Sequence, residues 1–375
     1  MISNTLIRAK WYVGAELVRL AVIGGYLGAG KTTLIVSLSR KLVSERKLRV
    51  AIITNDQGDV LVDSKAVGLA GFPFAEVQNG CFCCRFPDFI TKVHELQSVV
   101  KPDLILAEPV GSCTDLIATV YNPLAEYYGG EVDLAPYVVL VDAKKVLSLA
   151  KVDASKDRQL ALMAWQLQEA DIICINKVDM IDPSEQPQVL DAVKRFYFEE
   201  PECLFISAKT GYNLDKLCDY ILNGRYERKT GVDVDYDTYA AAEADLGWFN
   251  GSFTLLSDKP VSMKNVLSRL LSWIGKSIVE RNGCIAHLKI FFSSEEGAGK
   301  ASLLDLTQGV VFDFEPPVCS KLDVVINIRA ELSPEDLTRI VEEGLRRILS
   351  ECSLRYENWS AKSFRPRYPR PYYRI

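Results

Sequence analysis

Histidine is nearly missing from this chain: 375 residues contain only His94 and His287, beside 10 cysteines. So few imidazoles argue against a histidine-built metal store and leave sulfur as the soft-ligand supply. Long apolar runs are missing too. None approaches the roughly 20 residues of a membrane span, and the opening MISNTLIRAKWYVGAE has no continuous apolar stretch of the secretory kind. Nor is there an excess of positive charge. The 44 Lys and Arg are outweighed by 49 Asp and Glu, for a formal charge of −5, whereas a protein that coats nucleic acid carries a basic footprint. These absences predict a cytoplasmic protein with no membrane and no nucleic-acid partner. In a reducing compartment ten cysteines are not a disulfide framework, so a cluster among them signals metal or redox chemistry.

What is present divides into two patterns. The strand candidates LVRLAVIGG (18–25), LRVAIITN (48–55), DLILAE (103–108), YVVLVDA (137–143), DIICINK (171–177) and CLFISAK (203–209) are rich in Val and Ile and show no polar alternation. That is the composition of strands buried on both faces of a parallel sheet, with helices such as KTTLIVSLSRKLVSE and PSEQPQVLDAVKRFYFEE between them. The expected fold is α/β over residues 18–225, after an N-terminal extension at 1–17. A polar linker is expected at 226–247 and a smaller α+β domain at 248–352, in the order β-α-β-β-β-α with both helices on one face. In that domain WFNGSFTLLS, CIAHLKIFF, LTQGVVFDF and LDVVINIRAEL read as strands, and His287, alternating with Lys289, is expected to face solvent. The last helix starts at Ser333 as N-cap with Pro334 in its first turn, and its apolar stripe runs Leu337, Ile340, Val341, Leu345, Ile348, Leu349. Residues 353–375 form a basic Pro- and Tyr-rich tail, suited to an extended docking segment or to plain disorder.

Directly after the first strand stands Gly25-Tyr26-Leu27-Gly28-Ala29-Gly30-Lys31-Thr32-Thr33, which fits G-x-x-x-x-G-K-[ST] with a strand before it and a helix after it. The glycines let backbone N–H groups wrap a β-phosphate at a helix N-terminus. Lys31 bridges β- and γ-phosphates and the Thr32 hydroxyl ligates Mg2+. The competing reading is a glycine-rich turn without ligand. The fifth candidate strand ends in Asn176-Lys177-Val178-Asp179. A carboxylate there can accept from guanine N1 and N2, a donor pair adenine lacks, so Asp179 selects GTP over ATP. Ser207-Ala208-Lys209 ends the next strand as a second base-binding loop. Both loops fall at the carboxyl edge of the sheet, where open α/β sheets bind ligands. Asp56, after the second strand, and Glu108, after the third, are the carboxylates expected near Mg2+ or its waters, and the Gly111 amide can meet the γ-phosphate. Either carboxylate could instead cap a helix.

Seven cysteines lie scattered (Cys113, Cys174, Cys203, Cys218, Cys284, Cys319, Cys352), several in apolar runs that suggest packing thiols. The other three are Cys81, Cys83 and Cys84. C-x-C-C brings three thiols to one turn, suited to Zn2+ or another soft transition ion, with a fourth position left to water, a carboxylate or a partner. A structural zinc knuckle and a redox thiol group are the alternatives. His94 is either a fourth ligand or an ordinary helical residue.

With GGYLGAGKTT, TNDQG, GCFCC, AEPVG, VVLVDA and QEADIICINKVD in this order, residues 18–220 resemble the CobW-type metallochaperone GTPases. These are relatives of the GTPases that insert nickel into urease and hydrogenase. The resemblance implies GTP hydrolysis to GDP coupled to metal delivery or cofactor maturation on a client, a metalloenzyme or a cobalamin-related protein. It implies metal on Cys81, Cys83 and Cys84, Glu108 as the acidic residue of an E-x-x-G loop, and Asn176 and Asp179 as guanine-binding residues. TNDQ departs from the N-E-F-G usual in CobW-type chains, which bears on the role of Asp56. A GTP-dependent homodimer is a further expectation. The rival function is a regulatory GTP switch that holds a structural zinc and acts through partner binding.

Overall fold

A computed structural model of the chain describes residues 17–55, 62–149, 157–197, 202–303, 306–307 and 309–375. Asp56 and residues 1–16 of the N-terminal extension lie outside the described residues. The first domain is built on a parallel sheet: β1 (Val18–Gly25), β2 (Val50–Asn55), β3 (Phe74–Val77), β4 (Leu104–Glu108), β5 (Val132–Leu134), β6 (Val138–Asp142), β7 (Ile172–Asn176) and β8 (Cys203–Phe205). Their order is β3-β2-β4-β1-β6-β7-β8, with β5 beside the start of β1, and every pairing is parallel. All residues of β2, β4 and β7 are buried, which is why these segments read as unbroken apolar runs.

Alternate residues of the central strand feed two cores. Leu20 and Val22 face one side, with Phe86, Phe89 and Val93 of helix Phe86–Val99 and Leu160, Met163 and Leu167 of helix Arg158–Glu169. Ala21 and Ile23 face the other, with Leu34, Leu38 and Leu42 of helix Lys31–Arg46 and Leu217 and Ile221 of helix Leu214–Asn223. The six strands expected from the sequence are all present. β3 and β5 were not expected; β3 is a four-residue edge strand with its first residue, Phe74, exposed, too short and too polar to stand out.

A second, antiparallel sheet comprises β9 (Gly247–Ser262), β10 (Ile285–Ser293), β11 (Ala298–Leu303), β12 (Val311–Phe312), β13 (Val318–Ala330) and β14 (Arg355–Phe364), in the order β12-β11-β10-β13-β9-β14. Helices Met263–Glu280 and Pro334–Glu351 cover one face, burying Val266, Leu270, Ile274, Leu337, Ile340 and Leu345 against Leu288, Ile290, Ile326 and Ile328. The Ser333 hydroxyl accepts the Asp336 N–H at 3.0 Å, the cap that its position predicted. Two features depart from the expected order. Of LTQGVVFDF only Val311 and Phe312 pair as strand, while AGKASL, with small and polar residues alternating, supplies β11. Residues 355–364, grouped above with the tail, pair antiparallel with β9, where Trp359 packs on Phe253 with ring centroids 5.9 Å apart. The polar stretch at 226–247 contains helix Tyr236–Asp245, capped by Asp235. Among the described residues no helix is long and apolar enough to cross a membrane.

Candidate functional site

The loop after β1 has the geometry of a phosphate cradle. Gly25, Gly28 and Gly30 all take positive φ (128°, 81° and 99°), the region open to glycine and strained for side chains. A Cβ on Gly25 would strike the Leu140 carbonyl, and one on Gly30 would lie 2.6 Å from the Asn176 amide. Helix Lys31–Arg46 begins at once, so its free N–H groups point into the loop. Lys31 is buried and its Nζ donates to the Gly25 carbonyl at 2.8 Å. Burial pulls its pKa down, with the Glu108 charge opposing. Thr33 is half-buried on the same turn.

The two loops expected to bind the base lie side by side at the carboxyl edge of the sheet. Asn176, at the end of β7, donates to the Ala29 carbonyl at 2.8 Å and accepts the Ala208 N–H at 2.9 Å, so one buried amide ties the phosphate loop to the Ser207-Ala208-Lys209 loop. Ser207 Oγ donates to Asp179 at 2.6 Å, and Asp179 itself is exposed at the mouth of the site. Lys177, in the left-handed region at φ 64°, forms a 2.7 Å ion pair with Asp142. Lys209 is exposed.

At the phosphate end, Thr32 Oγ1 lies 2.9 Å from Glu108 Oε1 and 2.9 Å from Asp63 Oδ1. Three oxygens thus converge beside Lys31, and the second Glu108 oxygen is buried without a hydrogen-bond partner. A hard divalent cation such as Mg2+ suits this donor set. The Glu108 carboxyl is pushed up to about 7, first by burial and then by the Asp63 charge, while Lys31 and Lys289 oppose. Burial would also raise Asp63, but Lys289 and Lys300 outweigh it and hold it well below the usual carboxylate range. Gly111 is buried beside Lys31, where an added Cβ would come within 3.0 Å of Nζ.

Asp63 was not foreseen: no motif marks it, and it reaches the site only because helix Val62–Leu69 starts there. The second domain supplies the other unforeseen residues. The pocket holding Gly28, Lys31, Asp63, Glu108 and Gly111 is closed by Trp248, His287, Lys289 and Arg329. His287 is therefore buried, at 6% exposure, instead of solvent-facing. Strand alternation did turn it away from the helices, but the first domain covers that second face of the sheet: Val62 packs with Phe291 and Val325, and its N–H donates to Asn327 at 3.0 Å.

The cysteine turn follows β3. Asn55, the last residue of β2, holds it in place: its Nδ2 donates to Val77 (2.9 Å) and Gly80 (2.6 Å) carbonyls, and its Oδ1 accepts the Phe82 N–H at 2.9 Å. Phe82 stacks on Phe89 with centroids 4.3 Å apart. The result brings the Cys81, Cys83 and Cys84 sulfurs within 4.8 Å of one another, with Cys83 2.7 Å from Cys81 and 3.8 Å from Cys84. A tetrahedral ZnS4 edge is roughly 3.8 Å, from Zn–S bonds of about 2.3 Å; Cys83–Cys84 matches it, and Cys81 and Cys83 would move apart by about 1 Å to share one soft ion. Cys81 and Cys83 are buried and Cys84 is half-exposed.

Cys113, grouped above with the packing thiols, is buried two residues past Gly111 and close enough to the turn to influence the Cys81 and Cys83 thiols. Interaction with Cys113, Cys83 and Cys84 pulls the Cys81 thiol well down, and interaction with Cys81 pushes Cys113 up. Only the tertiary fold brings the loops after β3 and β4 together; the spacing of 29 residues gave no signal. His94 lies elsewhere, 2.7 Å from Glu131. The chain's C-terminal segment crosses the cluster, with the Tyr372 N–H on the Cys83 carbonyl (2.8 Å) and the Arg370 N–H on Cys84 Sγ (3.3 Å).

Comparison with known proteins agrees with this geometry. Residues 19–201 match the family described as CobW/HypB/UreG, nucleotide-binding domain. The chain is 33% identical over 267 residues to the zinc chaperone CobW of Sinorhizobium sp, covering 60% of this chain and 72% of that protein. It is 27% identical over 218 residues to zinc-regulated GTPase metalloprotein activator 1 of Dictyostelium discoideum, of which it spans 44%, with 48% of this chain covered. Among solved structures, the Zn(II)-bound YjiA GTPase from E. coli aligns over 88% of this chain and all of that one, at 17% identity and a TM-score of 0.38. A phosphate loop, an Asn-Lys-x-Asp edge and a C-x-C-C turn on a parallel sheet, with these sequence matches, make the chain a member of the CobW/HypB/UreG family of P-loop nucleotide-binding proteins.

Proposed function

We propose that the protein hydrolyses GTP and couples that cycle to delivery of a metal ion, Zn2+ first, to a client metalloprotein in the cytoplasm. One observation carries the coupling: residues at the ends of β2 and β4 that line the pocket beside Lys31 are also tied to the thiols. Asn55 clasps the Cys81–Cys84 turn from the end of β2, and Cys113 rides on the loop that begins at Glu108 and Gly111. An order–disorder change of either loop on loss of the γ-phosphate alters the sulfur geometry.

In this reading Lys31 turns from the Gly25 carbonyl to the β- and γ-phosphates, and Thr32, Asp63 and Glu108 supply the Mg2+ oxygens. Mg2+ contributes charge neutralisation on the phosphates. Asp179 reads guanine while Asn176 fixes the loops around it. Cys81, Cys83 and Cys84 bind the cargo ion with Cys113 as fourth sulfur, and half-exposed Cys84 is the side from which it leaves. The zinc-related names of the relatives support Zn2+ as the ion.

Linkage supplies the test: if GTP alters Zn2+ affinity, Zn2+ must alter GTP affinity by the same factor. Zn2+ titrations with and without a non-hydrolysable GTP analogue should differ, and equal affinities defeat the coupling. Burial of Cys81, Cys83 and Cys113 favours a second reading, a GTP switch with a permanent structural zinc. Replacing Cys81, Cys83 and Cys84 together by Ser separates the two. A structural site then costs much of the folding stability, whereas a cargo site leaves a folded GTPase without a metal response.

A further inference from the structure

A nucleotide seated on the Gly25–Thr33 loop rests its α- and β-phosphates on backbone N–H groups and reaches with its base toward Asp179 and Ala208. Its sugar therefore crosses the space between the phosphate loop and the base loop. A cleft of about 320 Å3 lies on that path, within the range of small-molecule sites. Thr32 and Thr33 line one part of it, and Ala208 and Lys209 another. Ser37 Oγ, one turn into the helix that follows the phosphate loop, donates to the Ala208 carbonyl at 2.7 Å and holds the two loops at a set separation.

The facing wall belongs to the second domain. β11 turns Ala301 and Leu303 into its own core, so Ala298 and Lys300 lie on the other face of the strand. Ala298 there packs in the cluster that holds Val62 of the first domain. On β12, Phe312 packs against the second core, which leaves its neighbour Asp313 on the side of the cleft. The Asp313 N–H donates to the Lys300 carbonyl at 2.9 Å, and the charged ends of the two side chains are 3.9 Å apart. They differ in depth. The Lys300 side chain is 12% exposed and acts on Asp63, beside Thr32, whereas the Asp313 side chain keeps 46% of its surface at the mouth.

This order of depth matches the sugar–phosphate part of a nucleotide. An ammonium suits the phosphate held on the loop, and one carboxylate can accept from both neighbouring hydroxyls of a ribose further out. We propose that the second domain closes over this part of the bound nucleotide in cis, with Lys300 contacting the α-phosphate and Asp313 accepting from the ribose hydroxyls. This rests on the assignment of the Gly25–Thr33 loop to GTP. The contacted part is common to GTP and GDP, so either nucleotide ties the two domains together, and release of GDP requires β11 and β12 to part from helix Lys31–Arg46.

The test uses the full-length protein with Mg2+ and measures affinity for GDP, for a non-hydrolysable GTP analogue, and for the 2′-deoxy and 3′-deoxy forms of GDP. In the wild type, removing either hydroxyl should weaken binding by about tenfold. In Asp313→Ala, GDP and its deoxy forms should bind within about twofold of one another. A merely structural Asp313 would weaken all three alike and keep the preference for ribose, which overturns the proposal. Lys300→Met should weaken GDP and the GTP analogue by the same factor, about 10- to 100-fold, and speed GDP dissociation, with Lys300→Arg restoring part of the loss. Weakening of the GTP analogue alone would place Lys300 elsewhere and overturns the assignment to the α-phosphate. In the wild-type protein, GDP and the GTP analogue should each slow backbone hydrogen exchange at residues 298–303 and 311–314; this readout stands even if a variant fails to fold. Unchanged affinities in the folded variants, or no slowing of exchange by either nucleotide, overturn the proposal alone. A wild-type protein that binds neither nucleotide overturns the GTPase assignment and this proposal with it.

Discussion

Single side chains decide the chemistry at both ends of the site. If Cys113 is the fourth sulfur, Cys113→Ser should lower the thiolate-to-metal charge-transfer absorbance of the Co2+-loaded protein and weaken Zn2+ by at least about tenfold. Cys203→Ser, remote on β8, should change neither; equal spectra for both variants would return Cys113 to a packing role. At the base, Asp179→Asn exchanges one acceptor for a donor and so suits xanthine, which offers one donor and one acceptor. GTP affinity should fall by about 100-fold or more and xanthosine triphosphate should become the better ligand, as competition binding would read directly. Asp179 and the cysteine motif were legible in the sequence because each belongs to a contiguous pattern. Cys113, Asp63 and Lys289 were not, because no local pattern distinguishes a thiol or charge that acts from one that merely packs or solvates.

Elements show the same division. Buried parallel strands write themselves as apolar runs, so β1, β2, β4, β6 and β7 were all visible, and so was half-buried β8 at the edge. Elements with short or mixed sequences do not: edge strands β3 and β14 and the small, polar β11 rely on backbone pairing, which carries no side-chain signature. The junction after β4 offers a test. Glu169, at the end of helix Arg158–Glu169, accepts the Ile117 N–H at 2.8 Å and lies within 3.3 Å of the Thr114 hydroxyl, anchoring the π-helical turn Ile117–Tyr121 that follows the Cys113 loop. Burial pushes its carboxyl up to about 8, with the Ile117 N–H opposing. The folded state therefore favours the protonated acid. Its contribution is fully present below about pH 4.5, the unfolded value, and declines as pH rises through 8, by roughly 1.4 kcal/mol per unit at most. Thermal melts should show the wild type losing stability between pH 5 and 8.5, with Glu169→Gln, which keeps the shape without the charge, losing less over that window because only Glu108 and the other raised carboxyls remain to titrate. Parallel curves for the two proteins would refute this.

On the scale of the whole molecule, the two sheets meet across the nucleotide pocket and the C-terminal segment returns to the thiols. Arg374 Nε lies 2.8 Å from buried Asp115, and Tyr373 packs edge-on to Phe86 at 5.3 Å. Deleting residues 365–375 should therefore speed alkylation of Cys84 while the cooperative unfolding of both domains persists; an unchanged alkylation rate would show that the segment does not shield the cluster. Sequence alone determined the α/β fold, the phosphate loop, the guanine edge and the C-x-C-C turn, because each is encoded by neighbours along the chain and by the periodicity of burial. Tertiary structure alone decided that Asp63 stands beside Thr32 and Glu108, that Cys113 comes near the cysteine turn and that His287 and Lys289 of the second domain line the same pocket as Lys31. Those juxtapositions come from packing two sheets and their loops against one another, and residues tens to hundreds of positions apart leave no mark on each other's local sequence.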